Sequence, residues 1–187
     1  MSVGMIVLLV VVVLLLFSGI WLVAAYNGLV SLDENVNGKW AQVETVYQRR
    51  ADLIPNLVET VKGAKDFEQS VLLGVTEART KWLNAKSPGD QVAAANQMDG
   101  ALSRLLVTVE AYPDIKSNQN FIALQDELAN TENKIAVERK RYNDAVQIFN
   151  AKIRRFPTSI VAGMFGFDQR IYYRSDEGTE KAPGVKF

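Results

Sequence analysis

The stretch "FIALQDELANTENKIAVERKRYNDAVQIFNAKIRRF", residues 121–156, decides the fold class, because its large apolar side chains recur at a helical interval. They stand every seven positions, at Phe121, Leu128, Ile135, Tyr142, Phe149 and Phe156. A seven-residue repeat keeps one face of an α-helix apolar. The stretch therefore predicts one helix of about 36 residues, roughly 54 Å long, which Pro157 stops.

Three apolar stripes with the same kind of spacing precede this helix. They cover residues 36–61, 67–82 and 98–112, and short turns join them. Isolated helices of this length are marginal in water, so four amphipathic helices gain stability by packing together. The sequence predicts an all-α fold, with an antiparallel up-and-down four-helix bundle over 31–157 and an irregular C-terminal tail over 158–187.

The tail does not continue the helical periodicity. Its apolar beginning, at 159–167, suits packing on the base of the bundle, contact with the bilayer or contact with a neighbouring subunit. Residues 170–174, "RIYYR", predict a short strand or an extended arm, and 175–185 are expected to be mobile.

The N-terminal segment has the composition of a membrane span. Asp33 is the first charged residue, and residues 3–25 are an apolar run that reaches roughly 34 Å as a helix, enough for a hydrocarbon core of about 30 Å. A cleaved signal peptide is the alternative, but its apolar core is shorter and follows basic residues. We predict an uncleaved transmembrane anchor over 1–30, with Trp21 and Tyr26 at the membrane interface.

Basic residues near the anchor predict its orientation. Lys39, Arg49 and Arg50 follow the apolar run, whereas no lysine or arginine precedes it. Because cytoplasmic flanks carry the excess of basic residues, we expect the body on the cytoplasmic side. Ala24 and Gly28 form a small-xxx-small pair that favours close packing between anchors.

Composition excludes several classes of function. With 21 basic and 21 acidic residues, the formal net charge is zero, so we expect no nucleic-acid partner. The chain has no cysteine and no histidine, which excludes Ser/His/Asp and Cys/His catalysis and structural zinc. No spacing of carboxylates singles out an acid–base pair. We therefore expect no enzyme, no metal and no cofactor.

Two residues interrupt the first stripe, within "RRADLIPNLVETVKG" at 49–63. Pro55 cannot donate a hydrogen bond to the Ala51 carbonyl, which predicts either a kink in a continuing helix or a new helix capped by Asp52. Arg50 lies on the apolar stripe, where a buried guanidinium needs a carboxylate partner. Alternatively, its stem covers apolar surface while its head reaches water.

Polar residues in the later helices suggest partners for Arg50. We predict a buried or half-buried polar layer in which Arg50 meets Glu110 or Glu132. Its candidate members are Arg50, Glu110, Glu132, Asn133, Arg139, Asn143 and Asn150. Such a layer fixes helix register, binds a ligand or does both, and fixing register is the commoner use.

Four motifs extend this pattern along the chain. They are "YNGLV" at 26–30, the 49–63 stretch, the long segment 110–157 that begins "EAYPDIKSNQ", and a terminal "VKF". Together with the anchor, they resemble the bacterial LemA family over nearly the whole chain. The resemblance implies a protein of the bacterial cytoplasmic (inner) membrane with one N-terminal span, an antiparallel four-helix body and no established catalytic activity.

We therefore expect a membrane-anchored scaffold that works through contacts. Its expected partners are the lipid bilayer and further copies of the chain in a homo-oligomer, with other membrane proteins as further candidates. The alternative is a sensor or binding module that recognises a lipid or another small ligand through the polar layer.

Overall fold

The computed structural model describes residues 2–64 and 67–174, which form six helices. In chain order these are α1 (Val3–Lys62), α2 (Gln69–Asn84), α3 (Pro88–Val109), α4 (Pro113–Lys116), α5 (Gln119–Arg154) and α6 (Thr158–Phe165). The described residues contain no strand. The prediction of an all-α chain with a long apolar N-terminal helix is confirmed, and the up-and-down four-helix arrangement stays a prediction. The stretch 175–185, expected to be mobile, lies outside the described residues.

The chain divides into two compact units. The first comprises Met1–Trp40 and Arg141–Tyr172, and the second comprises Ala41–Lys140 and Tyr173–Phe187. Helices α1 and α5 each contribute one part to both units. The sequence-based division into anchor, bundle and tail rests on composition and periodicity and stays a prediction.

Four helices of the second unit bury apolar side chains. These include Val43, Tyr47, Ile54, Leu57 and Val61 of α1, Val75 and Trp82 of α2, Met98 and Leu105 of α3, and Phe121, Leu128 and Ile135 of α5. Arg49 pairs with Glu127, whereas Tyr47, earlier in α1, contacts Arg139, later in α5. The two helices therefore run in opposite directions here.

Helix α1 continues through Pro55 without a break, as the continuing-helix alternative predicted. A proline at this position leaves the carbonyl of Ala51 without its helical donor. Arg79 of α2 replaces that donor, because its Nε–H donates to the Ala51 oxygen at 2.8 Å. The side chain of a neighbouring helix thus satisfies the backbone group that the proline frees.

Side-chain caps define the starts of two helices. Ser87 Oγ accepts a hydrogen bond from the Asp90 backbone N–H at 3.1 Å, and Pro88 occupies the first position of α3. Asn118 Oδ1 accepts from the Asn120 backbone N–H at 2.9 Å at the start of α5. These bonds satisfy backbone donors that have no partner within the helix.

The first unit begins with exposed apolar side chains and ends in a packed core. Within the described residues, α1 is the one helix long and apolar enough to cross a membrane, and the side chains of its apolar run are exposed. Burial begins where that run ends. The core consists of Leu29, Val36 and Trp40 of α1, Tyr142, Val146, Phe149 and Ile153 of α5, and Val161 and Ala162 of α6.

The tail contains more regular structure than its sequence predicts, because α6 forms within it. Gly166, with φ of 73°, takes the left-handed conformation that ends α6. Residues 167–174 follow without helix or strand. Phe156, predicted to complete the apolar stripe of α5, is instead 81% exposed. The reason is that α5 ends at Arg154, so Phe156 lies in the turn before α6.

Candidate functional site

Arg50 lies at the centre of a buried ion cluster in the second unit. It is 4% exposed, on the apolar seam of α1. Its Nη1 donates to Asp99 of α3 and its Nη2 to Glu132 of α5. Its Nε donates to Thr131 Oγ1 at 3.4 Å, and that hydroxyl donates to the Leu128 carbonyl at 2.8 Å. All three guanidinium nitrogens therefore have an acceptor, as a buried cation requires.

Asp99 joins two arginines of the cluster. Its Oδ1 accepts from Arg50, and its Oδ2 accepts from Arg139 Nη2 at 2.5 Å and from the Tyr47 hydroxyl at 2.9 Å. The carboxylate side chain is 16% exposed, whereas that of Glu132 is 54% exposed. Asp99 is thus the buried anion of the cluster, and Glu132 lies at its rim.

Two tyrosine rings flank the second arginine. The Arg139 guanidinium carbon lies 4.4 Å from the centre of the Tyr173 ring and 5.3 Å from that of Tyr47, distances typical of cation–π contacts. The two tyrosine hydroxyls are 2.9 Å apart, and Tyr173 also donates to Asn96 Oδ1 at 3.2 Å. The Arg139 Nε has no acceptor among the described residues.

Burial governs the protonation of these groups. Desolvation raises the pKa of Asp99 to about 7, the Arg50 charge opposes that rise, and the Glu132 charge adds to it. Desolvation also lowers the pKa of Arg139 and raises that of Tyr173. When Asp99 is ionised, the positive charges of Arg50 and Arg139 balance the negative charges of Asp99 and Glu132. Protonation of Asp99 leaves one positive charge in excess. The charge of the cluster therefore changes near neutral pH.

A cleft of about 510 Å³ opens beside the cluster. Its polar side consists of Arg50, Asn96, Asp99, Ser103, Gln125, Glu132 and Arg139, and its apolar side of Leu102, Leu106, Leu128 and Ala129. Ligand sites commonly combine an apolar wall with a few converging polar groups. The cleft has the composition of a site for a small amphipathic molecule.

The structure brings three of the predicted polar residues together and places others elsewhere. Arg50, Glu132 and Arg139 belong to the cluster. Glu110 does not, because it is the exposed C-cap of α3 and pairs with Lys116 at 2.5 Å. Asn133 is exposed on the outer face of α5, and Asn143 is half-buried in the first unit.

Asn150 has a separate role in the first unit. Its amide donates to the Arg170 carbonyl and accepts from the Arg170 backbone N–H, both at 2.8 Å. The Arg170 guanidinium donates to both carboxylate oxygens of Asp33 at 2.9 Å, and the Tyr142 hydroxyl donates to the Ile171 carbonyl at 2.8 Å. These bonds fix the segment after α6 against α1 and α5.

Several residues of the cluster are absent from the predicted polar layer, among them Asp99, Tyr47 and Tyr173. Asp99 stands next to the core residue Met98 and three positions before Leu102, so its place at the border of the α3 stripe was the available signal. Tyr47 lies within the predicted stripe at 36–61, and the signal was that a buried tyrosine needs a partner for its hydroxyl. Tyr173 gave no signal, because its position depends on how the segment after α6 packs.

Comparison with known proteins relates the chain to one family. The sequence model of the LemA family matches residues 39–187, which include every residue of the ion cluster. The matched region begins after the apolar run of α1.

Individual relatives are distant in sequence. Magnetosome proteins MamQ 1 and MamQ 2 of Paramagnetospirillum magneticum are each 28% identical in an alignment 179 residues long. The match covers 82% of this chain and 66% of each relative. Protein LemA of Metamycoplasma hominis is 26% identical over 137 residues, 73% of this chain and 63% of that protein. The chain thus spans no more than 66% of the length of these relatives.

Proposed function

Because the chain belongs to the LemA family, we propose that this membrane-associated helical protein is a single-pass scaffold, which assembles with copies of itself and acts without catalysis. Its body lies on the cytoplasmic side of a bacterial inner membrane. The basic residues Lys39, Arg49 and Arg50 after the apolar run support that orientation. Other membrane proteins are further candidate partners.

The continuity of α1 carries this proposal. One helix of 60 residues contains both the exposed apolar run and Arg50 at the centre of the ion cluster. The membrane-spanning run and the folded body are therefore joined by helix, without a flexible linker between them. This construction suits a protein that works close to a membrane.

The bonding within the cluster supports a structural role for it. Arg50 directs all its donors to protein acceptors, and Asp99 accepts from two arginines and a tyrosine. A carboxylate held in this way is poorly placed to attack a substrate or to take a proton from one. An ion network that spans three helices instead fixes their register.

Self-association has support from the anchor. Ala24 and Gly28 are both exposed, and a Cβ atom added at Gly28 would meet nothing within 4 Å. This open, small-residue face allows the backbone of a second anchor to approach closely. The MamQ relatives are named for the magnetosome and not for a reaction.

Cross-linking in native membranes tests the scaffold proposal. Membranes that contain the full chain are treated with a short amine-reactive cross-linker, then solubilised in mild detergent and sized. We expect discrete species that contain two or more copies of the 20.8 kDa chain, alone or with other membrane proteins. Recovery of the chain as an uncross-linked monomer at all concentrations would contradict the proposal.

The cleft favours a second candidate function, recognition of a small amphipathic ligand. Asn96, Ser103 and Gln125 line the cleft together with Leu102 and Leu106. The polar head of a ligand would bond to the polar side chains, while its alkyl part would contact the leucines. This alternative also accounts for the mixed polar and apolar lining.

Two variants on α5 separate this alternative from the scaffold proposal. Ala129→Trp places an indole at the cleft without altering any ion pair, whereas Ala123→Trp adds the same group at an exposed position that does not line the cleft. Native mass spectrometry of the detergent-solubilised chain would show a bound small molecule in the wild type and in Ala123→Trp, and its loss in Ala129→Trp. Absence of bound mass from all three proteins would count against ligand recognition.

A further inference from the structure

Helix α6 is apolar on both of its faces. Val161 and Ala162 are buried in the first unit, whereas Ile160 and Met164 are 55% and 65% exposed. The helix contains no charged residue. Helices that are apolar all round normally lie in a protein core or in lipid, because a wetted apolar face loses the free energy of burial.

The turn before α6 extends this exposed apolar surface. Phe156 is 81% exposed in that turn, and Ile160 and Met164 are four residues apart on α6, on one side of the helix. Phe165 adds a ring that is 49% exposed. We call these residues, Phe156, Ile160, Met164 and Phe165, the α6 surface. Large neighbouring apolar side chains of this kind mark contact sites for proteins or membranes.

Contacts with Tyr26 place α6 at the end of the membrane span. The ring centres of Tyr26 and Phe165 are 4.7 Å apart, and those of Tyr26 and Phe167 are 5.9 Å apart. Tyr26 immediately follows the apolar run at residues 3–25, where aromatic side chains occupy the headgroup zone. Helix α6 therefore lies level with the boundary between hydrocarbon and headgroups.

Basic residues next to α6 complement a lipid surface. Lys152, Arg154 and Arg155 are exposed at the end of α5 and just after it. Basic side chains near a bilayer are attracted to anionic headgroups.

We propose that the α6 surface is a second membrane contact, which enters the headgroup–acyl boundary of the leaflet where the anchor ends. Its ligand class is anionic phospholipid: the apolar side chains meet the acyl chains, and the preceding basic residues meet the phosphates. The surface holds α6 and the segment after it against the bilayer, independently of whether the body acts as a scaffold or binds a ligand.

Spin labels can test this placement without background, because the chain has no cysteine. Single-cysteine variants of the full chain carry a nitroxide at Ile160 or Met164, in nanodiscs of phosphatidylethanolamine and phosphatidylglycerol. Gly19→Cys provides the lipid reference and Gly38→Cys the aqueous reference. Both glycines are exposed with open space around a Cβ atom, and Gly38 lies roughly 18 Å beyond Tyr26 along α1.

The measurement is the access of oxygen, which concentrates in lipid, relative to that of a water-soluble nickel complex. We expect labels at Ile160→Cys and Met164→Cys to have an oxygen-to-nickel access ratio several-fold above that at Gly38→Cys, in the direction of Gly19→Cys. A ratio equal to that of Gly38→Cys would overturn the proposal. Protection from both reagents would also overturn it, because that result indicates cover by protein.

Discussion

Removal of Arg50 tests the ion cluster most severely, because this one side chain contacts two other helices. Arg50→Met keeps the apolar stem and removes the guanidinium. Glu132 is 54% exposed and regains water, and the Thr131 contact is long at 3.4 Å, so neither loss costs much. The main cost falls on Asp99, which is 16% exposed and loses one of its two cations. Breaking a buried pair costs about 3–5 kcal/mol. Because Arg139 and Tyr47 still donate to Asp99, we expect about 3 kcal/mol.

A thermal melt of the full chain in detergent, followed by circular dichroism at about pH 9, measures this cost, because Asp99 with its pKa of about 7 is ionised there. For a chain of this size, about 3 kcal/mol corresponds to a fall in Tm of roughly 6–12 °C. The adjacent Arg49→Met is the matched control, since its side chain is 57% exposed and such pairs contribute about 0–1 kcal/mol. Equal falls in Tm for Arg50→Met and Arg49→Met would contradict a buried, paired Arg50. That result would indicate that the Arg50 guanidinium is in water.

Three further predictions concern other parts of the network. Because burial raises the pKa of Asp99 to about 7 in the folded chain, the folded state binds more protons between about pH 4 and 7. The free energy of unfolding should therefore fall as pH rises through this window, by at most about 4 kcal/mol. If it depended on pH equally in the wild type and in Asp99→Asn, the raised pKa would not belong to Asp99. Arg79→Met leaves the buried Ala51 carbonyl without a donor and should lower the free energy of unfolding by about 1–3 kcal/mol. In a Pro55→Ala background this cost should shrink, because the backbone N–H of residue 55 then donates to the same carbonyl. An equal cost in both backgrounds would exclude this explanation. Asn150→Ala removes two hydrogen bonds to the backbone of the segment after α6 and should destabilise the chain by about 2 kcal/mol. Backbone amides of that segment should also exchange faster with solvent. Exchange at the wild-type rate would show that these bonds do not hold the segment in place.

The helices that carry a regular apolar stripe were predictable from the sequence. The predicted stripe of α1 begins at Val36, Trp40 and Val43, and its large apolar side chains are buried. Arg50, which lies on the same stripe, is buried with them. The spacing of apolar residues determines which face of a helix is buried, so periodicity alone is sufficient here. Periodicity also predicted that Phe156 is buried, which is wrong. The seven-residue repeat continues in the sequence beyond Arg154, where α5 ends.

Features that depend on packing between segments were not predictable. Helix α6 and the segment after it have no long periodicity, and their positions follow from contacts such as that of Tyr26 with Phe165. The need of Arg50 for a carboxylate could be inferred, since burial of an unpaired guanidinium is costly. Its partners could not be distinguished by that argument. Glu132 and Asp99 fill the role because α5 and α3 place them there, whereas Glu110 lies at a helix end that faces solvent.

Subunit counting in native membranes tests most directly the central claim that the anchored chain assembles with copies of itself. A fluorescent protein fused after Phe187 and expressed at low density in a bacterial inner membrane allows the bleaching steps in each spot to be counted. We expect most spots to bleach in two or more steps. The distribution of step numbers should not change as the density of the fusion protein in the membrane falls. Spots that bleach in a single step, as does a monomeric single-span control, would contradict it.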